Sequence, residues 1–193
     1  MATDLGTQHG STTELQDLVR RTVDDLLNDR EAKKETKPKK LAMIATKGTL
    51  DWAYPPLVLA GTAASLGWDT GIFFTFYGLN IVHKKMSKKI SIAPIANPAM
   101  PMPVPVPNLL GSLPGMTPFA TMMMKKKFKD AGVASIQELT DNAIEAGVKM
   151  FPCAMTMKVF GYEEKDFMDG CEPICGAAAF LSWAADADIT LAF

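Results

Sequence analysis

The chain has 193 residues, 48% of them hydrophobic and 21% charged, with a formal net charge of -1 and a mean hydropathy of +0.07. This is the make-up of an ordinary globular protein with one main domain, and the near-neutral charge argues against nucleic acid as a partner. No apolar run reaches the roughly 18 residues that a membrane-spanning helix needs, no basic segment leads into an apolar one at the N-terminus, and three cysteines without an export signal point to reduced thiols in the cytoplasm.

Residues 11–29 read as a helix, with Ser11 and Glu14 spaced as a capping box and Leu15, Leu18, Val19 and Leu26 on one stripe. The following "REAKKETKPKK" is charged and holds Pro38, so residues 1–39 form a helix with a charged linker or frayed end, and the main domain covers 40–193. "KLAMIAT" is a short apolar run suited to a buried strand, and Gly48 turns the chain into a helix from about Asp51 to Leu66, with Pro55 and Pro56 in its first turns. "DTGIFFTFYG" follows as a second strand, and strand, helix, strand in this order imply a right-handed parallel crossover.

Residues 94–118 hold eight of the thirteen prolines, which excludes a regular helix or a central strand and leaves an ordered loop or lid. Two helical patterns come next, "FATMMMKKKFKDAG" and "SIQELTDNAIEAG", the second with Ser135 and Glu138 at capping-box spacing. "VKMFP" is a third strand. A helix to Phe160, a polar link, a helix over 177–185 and a last strand "DITLAF" complete the chain. The alternation predicts an α/β fold: a doubly wound, mainly parallel sheet of about five strands with helices on both faces, plus the N-terminal helix and the Pro/Met-rich insertion.

Cys153 follows Pro152 directly, where the third strand ends and a helix begins. In open parallel sheets reacting groups gather at the carboxyl ends of strands. There the free amides of a helix's first turn favour thiolate over thiol, and a reactive thiol becomes a nucleophile at neutral pH. The competing reading makes Cys153 a small core hydrophobe, since free cysteine is among the most buried residue types. Local sequence leaves both open. No nucleophile elbow of a Ser-His-Asp hydrolase and no Gly-rich phosphate loop is present.

The pattern Cys-Ala-Met-Thr-Met at 153–157, then Val-Phe-Gly at 159–161, Glu163 and Glu164, and the C-terminal "CGAAAFLSWAADADITLAF" resemble the DsrE/DsrF/DsrH-like family of sulfur-transfer proteins. The likeness is to the DsrE subgroup with a Cys-x-Met-[Ser/Thr]-Met motif, and it spans about 40–193, including the Gly-Thr-Leu turn after the first strand. It implies an oligomeric α/β protein, a sulfurtransferase or sulfur carrier, in which Cys153 holds sulfane sulfur as a persulfide and exchanges it with a thiol partner such as a TusA-like carrier. No cofactor beyond that persulfide and no resident metal is implied. Met155, Met157, Gly48 and Thr49 are the pocket candidates.

Cys171 and Cys175, four apart in "CEPICG", are accessory thiols at most: they could resolve the persulfide as a disulfide or hold a second sulfur, but unreactive cysteines more commonly pack as small hydrophobes. A zinc site from the three cysteines with His83 or His9 has one close cysteine pair and no second, which is weak support. His83 reads as a surface residue on a basic helix. Eleven of the thirteen methionines lie between Met86 and Met168. The insertion can cover the sheet or a subunit interface, form a soft lid over Cys153, or, through 94–124 and the lysine runs 84–89 and 125–129, touch anionic lipid peripherally. A non-catalytic interaction subunit, with Cys153 buried, is the alternative class.

Overall fold

A computed structural model of the protein describes residues 7–93 and 115–193, with side chains for 14–29, 37–93 and 115–193. It divides into two compact units, residues 1–38 and 39–193. In the first, one helix, α1 (Thr7–Thr36), starts before Ser11 and runs on through the charged segment expected as a linker or frayed end. Ser11 therefore lies inside the helix and not at its start. The apolar stripe Leu15, Leu18, Val19, Val23, Leu26 and Leu27 is exposed along its length.

The second unit contains strands β1 (Lys40–Ala45), β2 (Asp69–Phe74), β3 (Lys149–Pro152) and β4 (Ile189–Ala192), paired in parallel in the order β3-β2-β1-β4. Helix α2 (Leu50–Ser65) joins β1 to β2, α3 (Met116–Asp130) and α4 (Ile136–Glu145) precede β3, and α5 (Ala154–Phe160) and α6 (Ala177–Ala184) lie between β3 and β4. The sheet has four strands where about five were expected. Beside β3 the chain adds only a single-residue parallel bridge, Cys153 with Cys175. Most of the Pro/Met-rich insertion, 94–114, lies outside the described residues, and no helix among the described residues is long and apolar enough to cross a membrane.

Alternation along the strands sorts two cores. Leu41, Met43 and Ala45 of β1 join Ile72, Phe74 and Met150 under α2 and α4, whereas Ala42 and Phe73 face the opposite side, with Cys153 and Phe180 of α6. Helices on both faces of a parallel sheet make the fold doubly wound. The capping box on α4 forms: Ser135 Oγ accepts from the Glu138 N–H at 3.3 Å, and Glu138 Oε2 accepts from the Ser135 N–H at 2.7 Å. Pro55 and Pro56 sit beyond the first turn of α2, so they deprive the carbonyls of Asp51 and Trp52 of their intrahelical donors.

At the amino ends of the strands, the buried Lys40 ammonium bonds the Trp183 carbonyl and Asp186 Oδ1, the latter at 2.6 Å, and lies 4.4 Å from the Trp183 ring centroid. Asp69, shared with Lys149 at 2.7 Å, is 3.8 Å away. This cluster ties α6 and the start of β4 to the sheet. Lys40→Met leaves those carbonyl and carboxylate groups short of a donor and should cost about 2 kcal/mol, less than a fully buried pair because Asp186 is half exposed. An unchanged urea midpoint would contradict this.

The expected second strand, 69–78, stops at Phe74. Phe76 takes φ 47, a conformation an L residue rarely holds, and the chain turns there into a 3₁₀ segment, Phe76–Ile81. His83, expected on a surface helix, is buried beyond this segment, its ring edge against Tyr162 and Phe167. Nδ1 accepts from the amides of Lys85 and Met86 at 3.1 and 3.3 Å. Burial holds the imidazole below its ordinary pKa, with Asp166 opposing. The unfolded chain thus takes up a proton at His83 as pH falls below about 6.5, while the folded chain resists, and stability declines through that window. In His83→Asn, which keeps an acceptor for the two amides, the loss of urea stability between neutral and mildly acid pH should shrink; an equal loss would assign it to other groups.

Candidate functional site

The carboxyl ends of β1, β2 and β3 meet in adjacent loops. Gly78 comes so close to β1 that a Cβ on it would lie 2.1 Å from the Ala45 carbonyl oxygen, and one on Gly48 would lie 2.2 Å from that of Tyr77. Glycine is what allows the two loops to interlock. The contact fixes the segment carrying Thr75 and Phe76, and β3 registers beside it through the Cys153 N–H, which donates to the Phe74 carbonyl at 3.0 Å.

Cys153 is the residue preceding α5, with extended backbone, and it is 4% exposed. Three residues on, Thr156 is buried, its Oγ1 accepting from the Phe76 N–H at 3.0 Å and lying 3.1 Å from Thr75 Oγ1. Burial pushes the Cys153 thiol up, but the Thr156 and Met155 amides together with the Thr75 and Thr156 hydroxyls outweigh it, and the thiol's pKa is lowered. Because Thr156 Oγ1 already accepts from Phe76, its own proton is free to turn toward Thr75 or toward the sulfur. Among the described residues this thiol alone is shifted toward thiolate.

The other cysteines separate. Cys175 packs in the same small core as Cys153, while Cys171 packs on the opposite side of the sheet. Burial pushes Cys171 up to about 12, and burial followed by the nearby Cys153 raises Cys175. Among the described residues no group of three or more histidines, cysteines or carboxylates is gathered to hold a metal ion. The zinc set is also split by the sheet, with His83 Nδ1 occupied by backbone amides.

Of the pocket candidates, Met155 is exposed beside the thiol, whereas Met157 packs against the α2 side of the sheet, away from it. Gly48 and Thr49 lie on the neighbouring loop, Thr49 capping α2 with its backbone and not its side chain. Cavities of about 410 and 550 Å³ lie elsewhere, against α3, and Cys153 lines neither. Sequence reasoning missed Thr75 and Thr156. Thr156 occupies the Ser/Thr position of the motif quoted above, which was the available signal; Thr75 carried none, because its proximity depends on strand pairing.

Comparison with known proteins gives a consistent picture. The model of the DsrE/DsrF/DrsH-like family matches residues 37–192. The protein named sulfur carrier protein DsrE2 in Allochromatium vinosum is 51% identical over 157 residues, covering 79% of this chain and 97% of that protein. The uncharacterized protein YrkE of Bacillus subtilis is 29% identical over 157 residues, covering 79% and 96%.

Proposed function

The chain belongs to the DsrE/DsrF/DrsH-like family, and from that premise we propose that it is a sulfur carrier which holds sulfane sulfur on Cys153 as a persulfide and exchanges it with a thiol partner such as a TusA-like carrier. The observation that carries the reading is the donor set around one sulfur: two amides and two threonine hydroxyls that lower the thiol's pKa against its own burial. Thiol exchange begins with a thiolate attacking a sulfane sulfur, and a persulfide needs no metal to form. The sulfur-carrier name of the relative at 51% identity supports the same role.

Exchange requires the buried sulfur to be reached. Phe76, Tyr77, Met155 and Val159, all exposed, belong to the loop after β2 and to α5, and they give a partner an apolar rim to dock on as the site opens. Association between copies follows the edge of β4, whose four residues are all exposed, Ile189 and Leu191 among them. The role is set in the cytoplasm.

Burial of Cys153 favours a second reading, a non-catalytic interaction subunit with an inert thiol. Alkylation by a small iodoacetamide at pH 7 separates the two. A carrier modifies first at Cys153, faster than at Cys171, and an interaction subunit leaves Cys153 untouched until it unfolds.

A further inference from the structure

We infer that Cys175 is the internal resolving thiol of Cys153, closing a disulfide with it and expelling the stored sulfur as sulfide when no acceptor takes it. The inference rests on the reading of Cys153 as the persulfide holder. Its basis is the register of the chain beside β3. The Cys175 N–H donates to the Pro152 carbonyl at 3.1 Å and the Ala154 N–H donates to the Cys175 carbonyl at 2.9 Å, so Cys175 stands directly opposite Cys153 in a parallel bridge. The Glu172 N–H extends the pairing by donating to the Met150 carbonyl at 2.9 Å.

Opposed residues on neighbouring strands lie about 4.8 Å apart, inside the roughly 4.4–6.8 Å between α-carbons that a disulfide spans. Both side chains project to the same face and pack in the same cluster with Phe180. Ile174, one residue earlier, packs on the other face, as does Cys171. The side of the sheet on which each packs therefore selects Cys175 from the two accessory cysteines. Because Cys153 is buried, a thiol inside the same cluster reaches it without the opening that an external thiol needs.

In the step, the Cys175 thiolate attacks Cys153 Sγ in the persulfide. The Sγ–Sγ bond forms, the bond to the outer sulfur breaks, and that sulfur leaves with the electron pair as hydrosulfide; the proton lost by Cys175 goes to solvent or to the sulfide. One persulfide and one thiol become one disulfide and one molecule of hydrogen sulfide. The outer sulfur is reduced and the Cys175 sulfur is oxidised, while Cys153 Sγ exchanges one S–S bond for another, and an external dithiol resets the pair. The raised pKa of Cys175 keeps the attack slow at neutral pH, which leaves time for a partner to collect the sulfur.

The test uses the full chain loaded with sodium polysulfide, freed of excess reagent and followed by intact mass and sulfide release without reductant. The parent should pass from one added sulfur to a species two hydrogens lighter than the reduced chain, with sulfide released and the Cys153–Cys175 disulfide found by peptide mapping. Cys175→Ser should keep its added sulfur at least about tenfold longer, and Cys171→Ser should behave as the parent. Equal lifetimes in the parent and Cys175→Ser would overturn the inference while leaving Cys153 a carrier. Diamide oxidation of the unloaded chain probes the pair independently of loading. A Cys153–Cys175 link there is expected even if the chain takes up no sulfur, a result that would sink the carrier reading alone, and the absence of the link would overturn the pairing.

Discussion

Thr156→Val slows alkylation of Cys153 at pH 7 by roughly tenfold and moves its pH profile upward. The substitution keeps the branched shape and removes only the hydroxyl, so packing changes little at a side chain that is 2% exposed. What is lost is one of the groups that favour thiolate, and a hydrogen bond to a charged group contributes roughly 1.5–3 kcal/mol, a tenfold change in thiolate population or more. The Phe76 amide also loses its acceptor at 3.0 Å, so the loop carrying Thr75 loosens at the same time. Thr156→Ser retains the hydroxyl and should restore the rate. A Thr156→Val protein that reacts as fast as the parent would remove the threonine pair from the account.

Gly78→Ala is expected to destabilise the main unit by about 3 kcal/mol, at the upper end of what overpacking costs. The added carbon would sit 2.1 Å from the oxygen and 2.6 Å from the carbon of the Ala45 carbonyl, and backbone at the end of a central strand cannot move aside as a side chain tip would. The chain relieves the collision by parting the loops after β1 and β2. Thr75 and Phe76 then move away from Thr156, and Cys153 should lose reactivity together with stability. Thermal melting and the alkylation rate read the two effects separately; an unchanged melting temperature would mean that the loops have room the structure does not give them.

The position of Cys153 was legible because it depends on local signals: an apolar run, a proline that ends it, and a helical pattern that starts one residue later. The parallel doubly wound sheet was legible for the same reason, since each strand is a short apolar run separated from the next by a helical segment. The surroundings of the thiol were not. Thr75 and Thr156 are far apart in sequence and meet only because β2 and β3 are neighbours with Phe74 beside Pro152. Composition extends the second strand to Gly78, because "TFYG" is rich in strand-forming residues, but the chain turns at Phe76 to bring Gly78 against β1. His83 sits in a lysine-rich stretch whose composition suggests a surface, yet tertiary packing buries its ring against Tyr162 and Phe167. Cys171 and Cys175 could not be distinguished by spacing, because what separates them is the face of the sheet on which each packs.

The central claim is that Cys153 carries the sulfur. The most direct measurement is peptide mapping, under non-reducing conditions and shortly after polysulfide treatment, of the parent, Cys153→Ser and the Cys171→Ser, Cys175→Ser double variant. The account predicts one added sulfur on the peptide containing Cys153 in the parent and the double variant, and none in Cys153→Ser. Normal loading of Cys153→Ser, or sulfur found only on Cys171 or Cys175, would contradict it.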